Sequence, residues 1–286
     1  MRILVFGATG MLGHMVFGEC SRVDGWQVTA TQSQDPAGRH YFNAIDTPEI
    51  PFEYDYAVNC IGIRPGSIDA HDPVSVARAI EVNALFPHRL AADASRKGAR
   101  VIHISTDGVY GGQGAPYSED CAHDPGDIYG KTKSLGESRS ANLLVMRTSV
   151  IGPSPFKREG LLEWFLGQPD GGIVRGFVNH HWHGFTTLQF AKLCVRIIGQ
   201  GAFDRLRSMT YSYNLASGDP ISKHDLLVLF NRVFDRNVII EAAQDPHGKV
   251  DRALCSKFTH TDGIFAMDTI AESLTQLARA MAASPG

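Results

Sequence analysis

The first thirteen residues of the chain, MRILVFGATGMLG, constrain its fold more than any other stretch. Residues 3–6 are an apolar run long enough for a buried parallel strand, and a glycine-rich turn follows before a helical pattern begins. Gly7 would permit a sharp turn, Gly10 a close approach of the backbone to a pyrophosphate, and Gly13 close packing of the helix on the strand. The helix N-terminus would attract the anion. Although the spacing is G-x-x-G-x-x-G rather than G-x-G-x-x-G, this order of strand, turn and helix favours dinucleotide binding over a merely structural turn.

The composition is that of a globular protein, with 43% hydrophobic and 20% charged residues among 286. That length accommodates one large α/β unit with an appended lobe. A formal net charge of -3 gives no electrostatic basis for binding nucleic acid. No apolar run approaches the roughly 18 residues of a membrane span, and the glycines interrupt any signal sequence. We therefore expect a cytoplasmic protein with no nucleic-acid or membrane partner.

Strand and helix patterns alternate through the first half of the chain. Helices are predicted after the glycine turn, at 73–97 and from residue 128, and Pro87 predicts a kink in the second of them. Strands are predicted at residues 26–31, 41–46, 57–63, 100–106 and 143–149. The alternation predicts an α/β fold with a Rossmann-type doubly wound parallel sheet and right-handed crossovers.

The second half of the chain is less regular. Predicted elements there are helices at 161–166, 188–198, 221–234 and 269–281, and strands at 173–178, 210–215 and 237–241. We assign residues 1–152 to an NAD(P)-binding Rossmann domain. Residues 153–286 are expected to form mainly a smaller C-terminal α/β substrate lobe, with elements near 185–215 rejoining the first domain.

The end of the second strand bears on the choice of cofactor. An acid there would bind a ribose 2′-hydroxyl, whereas an arginine nearby would accommodate a 2′-phosphate. Residues 29–34 contain no acid, Asp35 lies just beyond them, and Arg39 is within reach. The sequence therefore favours NADPH and leaves NADH possible. Because ligands lie beyond the carboxyl ends of parallel strands, Asn43 is a candidate adenine contact and residues 60–62 a candidate backbone wall.

Three side chains are expected to converge beside the nicotinamide. Thr106 ends one predicted strand, and Tyr129 and Lys133 lie four residues apart on one face of the following helix. A ketone that accepts hydride also needs a proton on oxygen, which a phenol within hydrogen-bond reach can supply. The pKa of free tyrosine is about 10, and a neighbouring ammonium would lower it towards working pH. We expect Thr106 to orient the carbonyl.

Six motifs together resemble one family of enzymes. They are GATGMLG at 7–13, NCIGI at 59–63, VNALFPHRLA at 82–91, ISTDGVYGG at 104–112, YGKTK at 129–133 and RTSVIG at 147–152. The chain resembles an extended short-chain dehydrogenase/reductase, specifically the dTDP-4-dehydrorhamnose reductase branch of nucleotide-sugar enzymes. The resemblance implies that Thr106, Tyr129 and Lys133 are catalytic, that Ser105 is a second candidate for the hydroxyl role, and that Asn83 belongs to the site. With the glycine turn, the candidate cofactor contacts are Gly7, Thr9, Gly10, Met11, Leu12, Gly13, Arg39, Asn43, Ala44, Cys60, Ile61, Gly62, Asn83, Ser105, Tyr129 and Lys133.

The chain also departs from the pattern of its apparent relatives. Gly108 stands where related dehydratases have a glutamate and reductases a bulkier residue, so an elimination acid is missing. Asp107 is retained and is expected to contact the substrate or assist proton transfer. The resemblance implies Arg175 and Asn179 as nucleotide-diphosphate or sugar contacts, since arginine suits phosphate. Trp164 is a candidate stacking residue, with a core position as the alternative.

Histidines at positions 180, 181 and 183 invite a metal hypothesis. In an extended segment alternate side chains point to opposite faces, so three such residues do not readily converge on one ion. We expect no metal.

The resemblance implies NAD(P)H-dependent reduction of a nucleotide-linked 4-keto-6-deoxy sugar by a homodimer, as part of deoxysugar supply for surface polysaccharide or a glycosylated metabolite. Two alternatives stay open. One is an epimerase that keeps NAD bound and returns the hydride. The other is a non-catalytic binding subunit, because the regulatory subunit of methionine adenosyltransferase shares this fold and fold alone does not fix function.

Overall fold

The computed structural model describes residues 1–34, 37, 40–156, 158–260, 262–266 and 268–283. The strands are β1 (Arg2–Phe6), β2 (Gln27–Ala30), β3 (Tyr56–Asn59), β4 (Arg100–Ser105), β5 (Leu143–Arg147), β6 (Ser149–Ile151), β7 (Ile173–Phe177), β8 (His180–Trp182), β9 (Gly184–Thr186), β10 (Ser212–Asn214), β11 (Ile221–Ser222), β12 (Ile239–Ala243) and β13 (Val250–Asp251). The α-helices are α1 (Gly13–Ser21), α2 (Pro73–Ala79), α3 (Phe86–Lys97), α4 (Ile128–Leu135), α5 (Leu161–Leu166), α6 (Thr187–Gly199), α7 (Phe203–Met209), α8 (Lys223–Val233) and α9 (Ile270–Ala283). No helix within these ranges is both long and apolar enough to cross a bilayer.

Six parallel strands form the central sheet in the order β2-β1-β3-β4-β5-β10. Strands buried on both faces need continuous apolar runs, and every residue of β3 and of β5 is buried. β1 pairs with β2 on one side and with β3 on the other, so the strand order reverses there, where α/β sheets bind ligands. The predicted Rossmann-type α/β fold is confirmed.

Helices cover both faces of this sheet. On one face, α1 and α6 pack over a core that includes Val16 and Phe190. On the other face, the rings of Phe6, Phe42 and Phe86 pack with centroids 5.0 to 5.4 Å apart, beneath α3. Burial of each such side chain contributes roughly 1.5–3 kcal/mol. These contacts fix the carboxyl ends of β1, β3 and β4 along one edge.

The second half of the chain builds a separate lobe beside that edge. Small sheets, β11-β8-β13, β12-β7 and β6-β9, surround α5, α8 and α9. A second core that includes Phe165, Leu226, Phe230, Leu274 and Leu277 joins these helices. β10 returns to the central sheet beside β5, and α6 packs against α1.

The strand predicted at 41–46 is wrong. In the described residues of this region only Tyr41 makes a strand-like contact, an isolated bridge to Gln32. The side chain of Asn43 accepts a hydrogen bond from the Ile45 N–H and donates one to Asp46, which closes a turn. Asparagine competes in this way with a strand ladder.

The predicted helix at 73–97 is interrupted by a π-helical stretch at Ile80–Leu85, between α2 and α3. Pro87 lies in the first turn of α3 and has no N–H to donate to the carbonyl four residues earlier, that of Asn83. A π-helical turn is one of the known ways in which a helix absorbs such a defect. The kink predicted at Pro87 is therefore accommodated in the turn that precedes the proline, and Asn83 is fully buried there.

Candidate active site

A cleft of about 460 Å³ lies at the carboxyl edge of the sheet, between the glycine turn and the second lobe. It brings together many of the residues that the sequence singled out. Those that line it are Gly10, Met11, Leu12, Cys60, Ile61, Gly62, Ser105, Thr106, Asp107, Tyr129 and Lys133.

The glycine turn forms the first wall, and its shape leaves no room for side chains. Gly7 has a φ of 77°, and the Gly10 N–H donates to its carbonyl at 2.9 Å. A Cβ at Gly13 would lie 2.1 Å from the same carbonyl oxygen. Leu12, at the N-cap of α1, offers no side-chain acceptor to the first-turn N–H groups. This helix end therefore has backbone donors suited to a phosphate.

Thr106 and Tyr129 meet on either side of Gly108. The Gly108 N–H donates to Thr106 Oγ1 at 3.0 Å, and that hydroxyl donates to Asp107 Oδ1 at 3.1 Å. A Cβ at Gly108 would lie 3.2 Å from Thr106 Oγ1 and 3.3 Å from Tyr129 Cε1. A Cβ at Gly130 would lie 2.2 Å from the Gly108 carbonyl oxygen, so α4 packs directly on this loop. Close packing of backbone on backbone thus places the phenol beside the hydroxyl.

The acid–base state of Tyr129 differs from the prediction. Burial raises its pKa to about 12, and the hydrogen bond with Thr106 opposes that shift. The expected lowering by Lys133 is not found in the free protein, where Lys133 Nζ donates to the Ile104 carbonyl at 2.7 Å. The phenol consequently keeps its proton at neutral pH.

Lys133 carries the opposite shift. Burial lowers its pKa to about 8, while Glu137 and then Cys60 act to raise it. An ammonium with this pKa is mostly charged at neutral pH and loses its proton within the range in which enzymes are assayed. The cleft therefore contains a titratable cation beside a protonated phenol.

The second lobe supplies a charged wall that sequence reasoning missed. Lys223, the first residue of α8, lies with its Nζ 3.5 Å from His180 Nδ1. Arg252 Nε donates to the Tyr110 carbonyl at 2.9 Å. Burial raises the pKa of Asp107, and Arg252 is the first charge to oppose that rise. Burial also lowers the pKa of Lys223, with Arg252 adding to the effect. Both cations line the cleft opposite the glycine turn.

Several candidate cofactor residues do not line the cleft, namely Gly7, Thr9, Gly13, Asn43, Ala44 and Asn83. Gly7 and Gly13 shape the turn from behind. The side chain of Asn83 binds both the N–H and the C=O of Ile63 and donates to Thr132, so it ties the loop after β3 to α4. Arg39 and Asp35, on which the choice between NADPH and NADH rested, lie outside the described residues.

Of the four candidate substrate contacts, Asp107 lines the cleft and the other three do not. Arg175 is exposed on β7 beside Glu241 of β12. The amide of Asn179 is used within the lobe, because it donates to two loop carbonyls and accepts from the Asp245 N–H. Trp164 is 45% exposed on α5. The side chains of Arg175, Asn179 and Trp164 are therefore not part of the cleft wall.

The histidines of this lobe have separate partners. His180 Nε2 lies 3.0 Å from Asp245, and His181 Nδ1 lies 3.7 Å from Asp251. His183 Nδ1 accepts from the Leu254 N–H, so its Nε2 donates to the Gly218 carbonyl. In the part of the chain that the structure describes, no three His, Cys, Asp or Glu side chains are grouped as metal ligands. Only the first two of these histidines line the cleft.

Comparison with known families decides what kind of chain presents this cleft. The family model described as the RmlD substrate binding domain matches residues 1–154, more than half of the chain. The chain belongs to this family. Its relatives include the spore coat polysaccharide biosynthesis protein SpsK of Bacillus subtilis (strain 168), 30% identical over 157 residues, or 52% of this chain and 53% of that protein. They also include the methionine adenosyltransferase 2 subunit beta of Xenopus tropicalis, 31% identical over 142 residues, or 48% of this chain and 41% of that protein. The chain therefore spans about half the length of these curated relatives.

Solved structures share the fold over nearly the whole chain. A dTDP-4-dehydrorhamnose reductase from Clostridium acetobutylicum superposes with a TM-score of 0.79 and 19% identity, covering 99% of this chain and 100% of that one. The dTDP-4-dehydrorhamnose reductase of Bacillus anthracis, in complex with NADP, superposes with a TM-score of 0.76 and 15% identity, covering 96% of this chain and 98% of that one. At these identities the likeness establishes the fold.

Proposed function

We propose that the protein reduces the 4-keto group of a nucleotide-linked 4-keto-6-deoxy sugar with hydride from NADPH. The observation that carries this proposal is the convergence of Thr106, Tyr129 and Lys133 in one cleft with the glycine turn. A ketone that accepts hydride develops negative charge on oxygen, and a protonated phenol can neutralise that charge. Membership of the RmlD family and the fold shared with dTDP-4-dehydrorhamnose reductases support the choice of sugar class.

Tyr129 is the proton donor in this proposal. Its pKa of about 12 keeps the hydroxyl protonated until the carbonyl oxygen gains charge. Thr106, whose hydroxyl is fixed by Gly108, orients that oxygen. The Lys133 ammonium adds positive charge to a buried cleft, where it stabilises the phenolate that proton transfer leaves behind.

The glycine turn fits a dinucleotide. Its crowded backbone excludes a side chain at Gly13, and Gly10 faces the cleft at the start of α1. Residues 60–62 form the neighbouring wall. A bound nicotinamide supplies the hydride, and the residues of this chain bind and orient it. We favour NADPH because β2 ends without an acid and because a structural neighbour was solved with NADP.

Lys223 and Arg252 fit the diphosphate of a nucleotide-linked substrate. Both line the cleft, and neither is in an ion pair with a carboxylate of the described residues. Arginine and lysine without carboxylate partners on a partly buried wall favour an anionic ligand. They take the place of Arg175 and Asn179 as the substrate contacts of this proposal.

The test is NADPH oxidation by the purified protein with dTDP-, UDP- and GDP-linked 4-keto-6-deoxy sugars, with NADH in parallel. Consumption of NADPH with one of these substrates supports the proposal and names the nucleotide. Measurable NADPH binding without consumption of cofactor with any of them would contradict it.

A non-catalytic binding subunit is the second candidate function. The observation that favours it is the 31% identity to the methionine adenosyltransferase 2 subunit beta of Xenopus tropicalis. For this chain the candidate predicts NADP(H) binding without turnover and association with a methionine adenosyltransferase. Co-purification of the two proteins in size-exclusion chromatography, with no reductase activity, would favour it over the reductase.

We also propose that the protein forms a homodimer through the helices beside the cleft. Val74 of α2, Leu85 of the π-helical stretch and Leu135 of α4 are 75%, 45% and 64% exposed. Leu135 lies next to α3, because its carbonyl accepts from His88. Exposed apolar side chains on adjoining helices favour a protein partner, and a second copy of this face would cover them symmetrically. Sedimentation equilibrium tests the proposal: Leu135→Glu should convert a dimer into a monomer, and a wild-type monomer at all concentrations would contradict it.

A further inference from the structure

Glu137 lies behind the cleft, just beyond the end of α4, with its side chain 2% exposed. Ser105 Oγ donates to its Oε1 at 2.6 Å. Arg147 donates from Nε at 2.9 Å and from Nη2 at 2.6 Å to the two oxygens. Since both oxygens accept hydrogen bonds and one partner is an arginine, Glu137 is held as a carboxylate. This buried pair is not part of the catalytic set derived above.

The position of Glu137 connects it to two parts of the cleft. Ser105 is the last residue of β4 and immediately precedes Thr106. Glu137 follows Lys133 by four residues, in the turn that ends α4, where its N–H donates to the Ser134 carbonyl. Lys133 is itself bound to the carbonyl of Ile104, also at the end of β4. The end of β4 therefore binds Lys133 through Ile104 and Glu137 through Ser105, so the cation and the carboxylate are held by adjacent residues of one strand.

The charges around Lys133 show why this carboxylate matters. Cys60 faces it from the end of β3, His103 from β4, and Tyr129 and Glu137 from the α4 segment. Burial raises the pKa of Cys60 and of Tyr129 and lowers that of His103, so these three groups are neutral at pH 7. Of these neighbours Glu137 alone carries a charge, and it is negative.

The other side of Glu137 faces cations and a neutral imidazole. Arg147 is fully buried and also donates to the Tyr110 hydroxyl. His123 Nε2 lies 3.8 Å from Glu137 Oε2, and burial lowers the pKa of His123, so the ring is neutral at pH 7. Arg139 is a second cation near His123. Arg147 thus holds the carboxylate. Asp124 also acts on His123, and Glu119 and Asp120 line a second cavity together with Glu137.

We propose that Glu137 is a positioning residue of the active site: anchored by Arg147, it fixes the end of β4 through Ser105 and supplies the negative charge that keeps Lys133 protonated. Glu137 does not line the cleft. Its effect passes through Lys133 and Thr106. The activity measurements below rest on the proposed reductase function, whereas the titration of Lys133 does not.

The experiment compares variants by NMR titration of [13Cε]lysine-labelled full-length protein. The Lys133 signal is assigned by its loss in Lys133→Met. Glu137→Gln leaves Arg147 buried without its partner, which destabilises a fold. The double variant Glu137→Gln/Arg147→Met removes both charges and avoids that penalty. Glu137→Asp retains the charge, and Ser105→Ala removes the contact to β4 but not the charge.

Wild-type Lys133 should titrate near pH 8. In folded Glu137→Gln the midpoint should fall by about one pH unit, the low end of the effect of a nearby opposite charge. In the folded double variant it should fall by less, because the repulsive charge of Arg147 is removed as well. Glu137→Asp and Ser105→Ala should keep the wild-type midpoint. If the protein is a reductase, Ser105→Ala should lower kcat by between roughly tenfold and a hundredfold, through displacement of Thr106.

A Lys133 midpoint that does not fall below the wild-type value in folded Glu137→Gln, or in the folded double variant, would overturn the proposal, whether or not the protein reduces any sugar. An equal fall in midpoint for Ser105→Ala would also overturn it, because the shift would then follow from altered structure rather than from the charge. If the proposed function is wrong, the wild-type protein should consume no NADPH, while the Lys133 midpoints of the variants should still change as described.

Discussion

The two walls of the cleft are built from different material. The wall at the glycine turn is backbone: a Cβ at Gly13 would lie 2.1 Å from the Gly7 carbonyl oxygen. The wall at the second lobe is side chain, and its cations Lys223 and Arg252 extend from separate elements and have no carboxylate partner among the described residues. A wall of crowded backbone tolerates almost no change, whereas a wall of side chains can be altered one group at a time.

This difference implies a division of labour. A dinucleotide presents the same phosphates to every enzyme that uses it, and a rigid backbone turn suits a constant ligand. Substrates vary, and exchangeable side chains suit a variable ligand. Thr106, Tyr129 and Lys133 lie between the two walls, where cofactor and substrate would meet. Substitutions should therefore have separable effects on the chemistry, on substrate affinity and on the turn.

The largest effect should come from the chemistry between the walls. Tyr129→Phe should lower kcat by roughly 10²- to 10⁴-fold, because it removes the general acid. NADPH affinity, measured by fluorescence titration, should be unchanged. Tyr213→Phe is the matched control, since the Tyr213 hydroxyl is buried but donates to Leu206, away from the cleft. Turnover by Tyr129→Phe within a few-fold of wild type would remove this residue as the proton donor.

The next effect should be confined to the lobe wall. Lys223→Met and Arg252→Met should each raise the KM of the nucleotide sugar by roughly 10- to 150-fold, the value of a lost charged hydrogen bond. The KM of NADPH should stay within twofold of wild type. Arg175→Gln, exposed on β7, should change neither constant. If Arg175→Gln instead weakened substrate binding while the other two variants did not, the assignment of this wall would be wrong.

A smaller effect should follow from filling the backbone wall. Gly13→Ala places a methyl group against the Gly7 carbonyl and should cost about 1–3 kcal/mol in urea unfolding, together with weaker NADPH binding. Gly18→Ala is the control in the same helix. Apart from its chain neighbours and the backbone of the helix itself, no atom lies within 4 Å of the position that the added Cβ would take. It should stabilise the protein by roughly 0.5–1 kcal/mol. Equal stability of the Gly13→Ala variant and the wild type would contradict the account of a crowded turn.

The mildest test is a change of pH. Burial lowers the pKa of Lys133 to about 8, so its charged form is present below that pH and is lost as the pH rises. The titration of Lys133 should leave kcat/KM constant below pH 7. Well above pH 8, loss of its proton should lower kcat/KM about tenfold per pH unit. Tyr129, with a pKa of about 12, adds no change between pH 6 and 10. A profile that stays level to pH 10 would show that the charge of Lys133 is not required.

The parts of the site that the sequence revealed are those with local spacing. Gly7, Gly10 and Gly13 follow one strand directly, and Tyr129 and Lys133 are four residues apart on one helix. In each case neighbours in sequence are neighbours in space, so a pattern of a few residues carries the geometry. The central sheet was predictable for the same reason, because its buried strands are continuous apolar runs.

Other features depended on local side-chain hydrogen bonds that compete with the structure predicted from a sequence pattern. Residues 41–46 have strand-like composition, but Asn43 closes a turn with its own neighbours. Asn83 was expected on the evidence of the resemblance alone, and it is buried because the π-helical stretch before Pro87 turns it towards Ile63. Strands β8, β9, β11 and β13 are only two or three residues long, which is too short for an alternation of apolar and polar residues to be recognised.

The roles of Lys223 and Arg252 could not be predicted from the sequence for a different reason. They are separated by 29 positions from each other and by far more from Asp107, and only the folding of the lobe places them on one cleft. The single local signal was Lys223 itself, which follows Ser222 at the start of a predicted helix. Nothing in the sequence around Arg252 distinguishes it from other surface arginines.

The central claim is that hydride passes from NADPH to C4 of a nucleotide-linked sugar. The most direct measurement uses NADPH deuterated at the transferred position, with a dTDP-linked 4-keto-6-deoxy sugar, and analyses the product by mass spectrometry and NMR. The account predicts one deuterium at C4 of the product and one NADPH consumed for each sugar reduced. Cofactor binding with no deuterium in the sugar, or an isomerised sugar formed without net NADPH consumption, would contradict it.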